Sequence, residues 1–305
     1  METRVNAAKP SELKALLCAH GFSFKKSLGQ NFLIDERVLA RIVEASEAGP
    51  DDGALEIGPG AGVVTQRLAP RVKRLVAVEK DERLRPVLAQ TLAGLDNVDI
   101  RFADVLEVDL AGLWSAFSGC ARVTVVANLP YYVTTPILFH VLESRVRFDT
   151  MVIMVQREVA DRLAAAPGSK TYGALTLAVR YWAEVETVCR VGPGAFLPPP
   201  EVESTVVRLR RRATPAVDVV DERTLFGVIR AAFATRRKTL LNALTTQLPL
   251  ERAACLTALT EAGIAPQRRG ETLSLEEFAR LADAIARTSP ADGGGGSGNH
   301  ARGIY

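Results

Sequence analysis

The sequence predicts an α/β protein, a mostly parallel sheet covered by helices and followed by a small all-helical region. Three observations carry this. Short, apolar, β-branched runs alternate with helix-period segments over the first two thirds of the chain. The first clear run, Ala54–Ile57, empties into a glycine loop that opens a helix. From about residue 221 onward the strand pattern gives way to helical periodicity. A chain of 305 residues has room for roughly two domains.

Taken in order, residues 11–20 read as a short helix capped by Ser11 and stopped near Gly21. A segment rich in aromatic and basic residues follows, from Phe22 to Leu33, suited to stacking and phosphate contact or to pinning an N-terminal arm. Asp35 caps a helix whose apolar face is Val38, Leu39, Ile42 and Val43. Five strands are expected at 54–57, 75–78, 98–102, 123–127 and 151–155, and two more around 184–191 and 203–210, making seven. Met151 and Met154 read as core filler. Helices fall at about 82–93, 157–166 and 173–182, and at 135 onward with Thr135 as cap and Pro136 first in the helix. The prolines of Phe196–Ser204 make that loop extended and stiff. In the helical region Ser274–Glu277 forms a capping box, with Leu273 and Phe278 as its hydrophobic staple. The glycine-rich tail from 289 to 305 is expected to be disordered.

Hydrophobic residues make up 48% of the chain and charged residues 24%, the balance of a soluble globular protein. No apolar run approaches the length of a membrane helix, and the first residues lack an apolar signal core, so a cytosolic location is expected. Cys18, Cys120, Cys189 and Cys255 are widely spaced and read as reduced, mostly buried thiols. His20, His140 and His300 share no ligand-like spacing, which weighs against a zinc site or a histidine triad; no metal is expected. The net charge of +3 is unevenly spread. Residues 1–26 hold five basic side chains against two acidic, and residues 205–240 hold nine against three. Clustered positive charge suits a polyanion such as nucleic acid, and equally a solvated charged face.

Two motifs carry chemistry. Gly58-Pro59-Gly60-Ala61-Gly62 lets a ligand approach the backbone, and Glu79, at a strand end twenty-one positions after Gly58, can accept both hydroxyls of a ribose. Nicotinamide and S-adenosylmethionine sites share this pairing. Val63 stands where a dinucleotide fingerprint wants glycine, which favours S-adenosylmethionine and disfavours a nicotinamide-dependent oxidoreductase. Asp104 also follows a strand end, where it can take an adenine amine or cap a turn. The second motif is Asn128-Leu129-Pro130-Tyr131. Asn128 offers an amide oxygen, Pro130 keeps Leu129 extended with its carbonyl outside a helix, and Tyr131 offers a flat face. Two acceptors and a plane suit the exocyclic amine of adenine, and gripping both hydrogens favours the reactive pyramidal nitrogen without a strong base. Phe196 is a candidate second face of a stacking sandwich with Tyr131, or a hydrophobic plug.

Six ordered motifs then match one family: Ser27–Leu33, Glu56–Gly62, Val78–Asp81, Asn128–Tyr131, Phe196-x-Pro-x-Pro-x-Val-x-Ser204 and Phe233-x-x-Arg-Arg-Lys-x-Leu240. Over about residues 22–285 the chain resembles the small-subunit (16S) ribosomal RNA adenine N6,N6-dimethyltransferases, the KsgA/RsmA group. The resemblance implies a class I S-adenosylmethionine-dependent methyltransferase, Rossmann-like with a seven-stranded sheet and a helical C-terminal domain. It implies an arm over 1–34, a catalytic domain over 35–212 and an RNA-binding domain over 213–288. It implies cofactor contacts at Asn31, Leu33, Gly58, Glu79, Asp104 and Asn128, with Gly60 in the same loop, and a target adenine held by Asn128, the Leu129 backbone and Tyr131. The expected substrate is two adjacent adenines of a 3′ hairpin loop in the RNA of an immature 30S subunit. Lys25, Lys26, Arg236, Arg237 and Lys238 are the expected phosphate contacts. Two related readings share part of the pattern: a large-subunit ribosomal RNA methyltransferase of the antibiotic-resistance type, and an assembly factor whose methylation is secondary.

Overall fold

The computed structural model describes residues 5–25, 30–144, 146–235 and 237–288. The tail from 289 to 305 lies outside these, as do Lys26 and Arg236. Nine strands are described: β1 Phe32–Leu33, β2 Gly53–Ile57, β3 Arg74–Glu79, β4 Val98–Phe102, β5 Val123–Asn128, β6 Thr150–Gln156, β7 Ala183–Val191, β8 Phe196–Leu197 and β9 Ser204–Arg211. Seven of them form one sheet in the order β4-β3-β2-β5-β6-β9-β7. The first five are parallel, and β9 inserts antiparallel beside β6. Central strands of a doubly covered sheet bury both faces, and every residue of β2 is buried, as are all but the last of β5 and β6. Met151 and Met154 are core residues. Of the four cysteines, expected to be mostly buried, only Cys255 is, while Cys120 and Cys189 are partly exposed and Cys18 is exposed.

The helices are α1 Pro10–Ala19, α2 Glu36–Ala45, α3 Val63–Leu68, α4 Arg85–Thr91, α5 Leu110–Trp114, α6 Thr134–Glu143, α7 Arg157–Ala164, α8 Ala174–Trp182, α9 Glu222–Ala234, α10 Leu240–Gln247, α11 Arg252–Glu261 and α12 Leu275–Thr288. Asp35 caps α2, accepting from the amides of Arg37 and Val38. Three helix starts differ from the sequence reading. α1 begins at Pro10 with Lys9 before it, not at Ser11, because proline needs no amide partner in a first turn. α6 begins at Thr134 after Val133, and the Thr134 hydroxyl donates back to the Pro130 carbonyl, so Thr135 is not its cap. Residues 82–93 do not form one helix: a 3-10 turn at Glu82–Leu84 precedes α4, since Pro86 has no amide to continue an α-helical ladder through it.

The chain groups into two compact units. Of the described residues, one unit takes those up to Ala160 and Val185–Arg211; the other takes Asp161–Glu184 and those from Arg212 to Thr288. The second unit is therefore discontinuous in sequence, whereas the sequence reading draws a single boundary after residue 212. Its internal ties explain the grouping. The Tyr172 hydroxyl donates to the Leu273 carbonyl at 2.9 Å and that of Tyr181 to Glu222 at 2.9 Å, while Tyr172 and Phe278 both pack edge-on or tilted against Phe233. α12 is held at its start by the capping box, with Ser274 N–H donating to Glu277 and Glu277 N–H to the Ser274 hydroxyl. Leu273 and Phe278 are both fully buried beside it. Among the described residues no helix is long and apolar enough to cross a membrane.

Candidate active site

In an open α/β sheet, ligands bind beyond the carboxyl ends of the strands. Here the ends of β2, β3, β4 and β5 open into one cleft in the first unit, lined by Glu56, Gly58, Gly60, Glu79, Lys80, Asp104, Asn128 and Tyr131 among others. After β2 the chain turns through Gly58, Gly60 and Gly62, all at positive φ. A Cβ on Gly60 would stand 3.0 Å from the Phe32 ring, so a side chain there would press on that ring as well as strain a positive-φ backbone. The Gly60 amide donates to one oxygen of Glu79 at 3.0 Å and the Asp81 amide to the other at 2.8 Å. Each oxygen keeps a lone pair for a further donor. Burial pushes the Glu79 carboxyl up, and these amides counteract the rise.

Glu56 lies on β2 below the glycine loop, 3% exposed, with its Oε2 lacking a hydrogen-bond partner among the described residues. Burial pushes it up to about 7; the neighbouring Thr65 lowers it and the charge of Glu79 raises it further. Asp104, just past β4, caps a 3-10 turn by accepting the Leu106 amide at 3.1 Å, and its other oxygen takes the Lys80 ammonium at 2.6 Å. That bond holds its carboxyl below the usual range.

At the end of β5, Asn128 donates from its side-chain nitrogen to the Asn31 carbonyl at 3.3 Å, which fixes the side chain and leaves its oxygen as the group to meet a donor. Leu129 is 2% exposed and its amide is tied to the Met154 carbonyl. The Pro130 carbonyl is engaged by the turn into α6. The Tyr131 hydroxyl shares a 2.9 Å hydrogen bond with Ser204 at the start of β9. Phe196 lines the cleft but is 4% exposed, so it forms wall rather than an open stacking face.

The arm closes another side. β1 pairs antiparallel with β8, Phe32 opposite Leu197 and Leu33 opposite Phe196. Asp81 accepts from the Gln30 amide at 2.6 Å and from Arg83, whose guanidinium lies 4.9 Å from the Phe22 ring centre and donates to the Ser23 carbonyl. Asn31, Leu33, Gly58, Gly60, Glu79, Asp104, Asn128, Leu129, Pro130, Tyr131 and Phe196 thus share one cleft. Lys25 is exposed in the first unit, and Arg237 and Lys238 are exposed in the second. Sequence reasoning included Glu56, Lys80, Gln30 and Ser204 in its motifs but gave them no role. Glu56 had a signal, a lone acid within an otherwise apolar strand.

The arginine run of β9 is not a free polyanion surface. Arg208 pairs with Glu47 and Glu186, and Arg210 with Glu47. Arg212 pairs with Glu184 in the second unit.

A glycine loop, two buried carboxylates, one of them with an oxygen that lacks a partner among the described residues, and apolar walls fit a cofactor that carries a ribose, a cationic centre and a flat base. With the sheet order, they define a class I methyltransferase. The family model described as "Ribosomal RNA adenine dimethylase" matches residues 21–287. The "Ribosomal RNA small subunit methyltransferase A" of Bacillus cytotoxicus is 52% identical over 282 residues, 91% of this chain and 97% of that protein. Its namesake in Bacillus mycoides is 51% identical over the same shares. Among solved structures, the 23S rRNA methyltransferase ErmE is 28% identical with a TM-score of 0.62, covering 84% of this chain and 100% of that one. A dimethyladenosine transferase from Plasmodium falciparum, 24% identical with a TM-score of 0.70 over 82% and 95% of the two chains, shares the fold. The chain belongs to the ribosomal RNA adenine dimethylase family. It is an S-adenosylmethionine-dependent enzyme that acts on adenine in ribosomal RNA.

Proposed function

We propose that this enzyme dimethylates N6 of two adjacent adenines in a hairpin loop near the 3′ end of small-subunit ribosomal RNA, on an immature 30S subunit in the cytoplasm. The observation that carries the choice of subunit is the identity gap: 52% to a small-subunit enzyme against 28% to the large-subunit enzyme ErmE.

In this reading Glu79 accepts the cofactor's ribose hydroxyls, Asp104 its adenine amine, and Glu56 faces the cationic end from beneath the glycine loop. When bound, S-adenosylmethionine supplies a methyl group already activated on a sulfonium, so the protein's task is to position and to exclude water, worth about 7–11 kcal/mol at best. The target adenine leaves its loop stack, at a cost of a few kcal/mol, and lies on Tyr131, which returns roughly 1–3 kcal/mol. The Asn128 oxygen and the Leu129 carbonyl accept its two amine hydrogens, which turns the nitrogen lone pair toward the incoming methyl. Arg237 and Lys238 of the helical unit, and Lys25 on the arm, take RNA phosphates; Lys26 and Arg236, outside the described residues, belong to the same segments.

The test offers labelled S-adenosylmethionine with unmethylated small subunits or with large-subunit RNA. Label is expected in two adjacent adenines of the small-subunit RNA. Label confined to large-subunit RNA would overturn the reading. In single-turnover reactions with both substrates saturating, Asn128→Ala is expected to cut the transfer rate by at least an order of magnitude, as for loss of one oriented acceptor. An unchanged rate would make Asn128 a strand-ending residue only.

A further inference from the structure

β3 and β4 are neighbouring parallel strands, with Glu79 opposite Phe102, so the residues just beyond their ends, Lys80 and Asp104, stand side by side in the cleft. The Lys80 ammonium donates to Asp104 Oδ2 at 2.6 Å, and Oδ1 takes the Leu106 amide at 3.1 Å. Each oxygen of the carboxylate already has one donor before any base arrives. The Lys80 side chain is 56% exposed, so its charged end reaches the rim.

We propose that Lys80 is a positioning residue for the cofactor's base, and that it sets the preference for a base carrying an amine at position six. The proposal rests on Asp104 accepting that amine. A carboxylate has about four acceptor positions, so with two filled by Lys80 and Leu106 its direction is fixed and the rest stay available to one planar donor. A base that covers Asp104 also strips water from it, which by itself favours protonation. A protonated Asp104 would be a donor and would welcome a carbonyl in place of the amine. The adjacent ammonium opposes that proton and holds Asp104 as an acceptor. The opposite view, in which Lys80 only plugs the site until the base displaces it, makes the reverse prediction.

The experiment is calorimetric titration of the unmodified protein, Lys80→Met, Lys80→Arg, Asp104→Asn and the Lys80→Met/Asp104→Asn double variant. The probes are S-adenosylhomocysteine and its inosyl counterpart, which has a carbonyl at position six; thermal melts check each fold. Lys80→Met is expected to weaken the adenosyl probe roughly five- to tenfold at low salt, with Lys80→Arg close to the unmodified protein. The deficit should narrow as salt screens the pair in the unmodified protein. The ratio of adenosyl to inosyl affinity should fall. In the Asp104→Asn background, Lys80→Met should cost nothing more. Unchanged or tighter binding by Lys80→Met, or the same loss with and without Asp104→Asn, overturns the role of Lys80 alone. An Asp104→Asn variant that binds the adenosyl probe as well as the unmodified protein overturns the assignment of Asp104, and the inference with it.

Discussion

Glu56 makes a measurable claim on pH. Its folded-state pKa is raised, so the neutral acid is the form the fold prefers. Its stabilising contribution is complete below the unfolded value near 4.5, declines as pH rises toward about 7, and is lost above that. Asp81, Asp104 and Glu47, whose carboxyls are lowered by cationic and hydrogen-bonding partners, act in the opposite sense and at more acid pH. Without cofactor, raising pH from 5 to 8 is therefore expected to lower the melting temperature, with a Glu56 share on the order of 1–3 kcal/mol. Glu56→Gln, of nearly the same shape, should flatten that slope. Parallel slopes for the two proteins would mean that Glu56 does not titrate in this window. The positions of Glu79 and Asp104 were legible in the sequence because one ends a short apolar run and the other follows a short alternating one, Val98–Phe102, each of strand length. Lys80 was not, since only the register of β3 against β4 shows that its ammonium meets Asp104.

At the scale of elements, the loop after β5 is tied to the start of β9 by one hydrogen bond, from Tyr131 to a Ser204 that is 1% exposed. In the proposed reading the ring plane serves the base, and the hydroxyl holds the ring in place. Tyr131→Phe and Ser204→Ala are each expected to slow single-turnover methylation only a few-fold, consistent with a net hydrogen bond of about 1 kcal/mol. The double variant should be no slower than the worse single, because both remove the same contact. Full additivity would separate the two residues. Tyr131→Ala should do much more harm, since the plane goes too. The seven strands and the capping box of α12 were readable because each is several residues of consistent pattern. β1 and β8 were not: two residues have no period, and what makes them strands is each other. The starts of α1 and α6 were misplaced because Ser11 and Thr135 are good caps locally, while Pro10 and the Thr134–Pro130 bond put the caps two residues earlier, at Lys9 and Val133.

For the whole molecule, charge counted along the sequence overstated the surface offered to RNA, because a count ignores that Arg208 and Arg210 face Glu47. Exposed Arg237 and Lys238 remain as candidates in the second unit. Replacing both with alanine is expected to weaken binding to small subunits and to reduce the slope of log affinity against log salt by about 2. Cofactor affinity should stay the same; an unaltered slope would make them a solvated face. The sheet was legible and the division into units was not, because the ties of Tyr172 to Leu273 and of Tyr181 to Glu222 span distances in sequence that no local pattern records. The pairing of β1 with β8, with Ile34 also donating to the Ala195 carbonyl, has a consequence for biosynthesis. The glycine loop, Glu79 and Asn128 leave the ribosome early, yet the wall that leans on them waits for residue 197, and β9 wedges between β6 and β7 later still. A nascent chain halted before that point carries the glycine loop, Glu79 and Asn128 but no finished cleft, so a chain truncated ahead of residue 196 is expected to bind the cofactor weakly in a calorimetric titration, and full affinity in such a chain would show that this wall is dispensable.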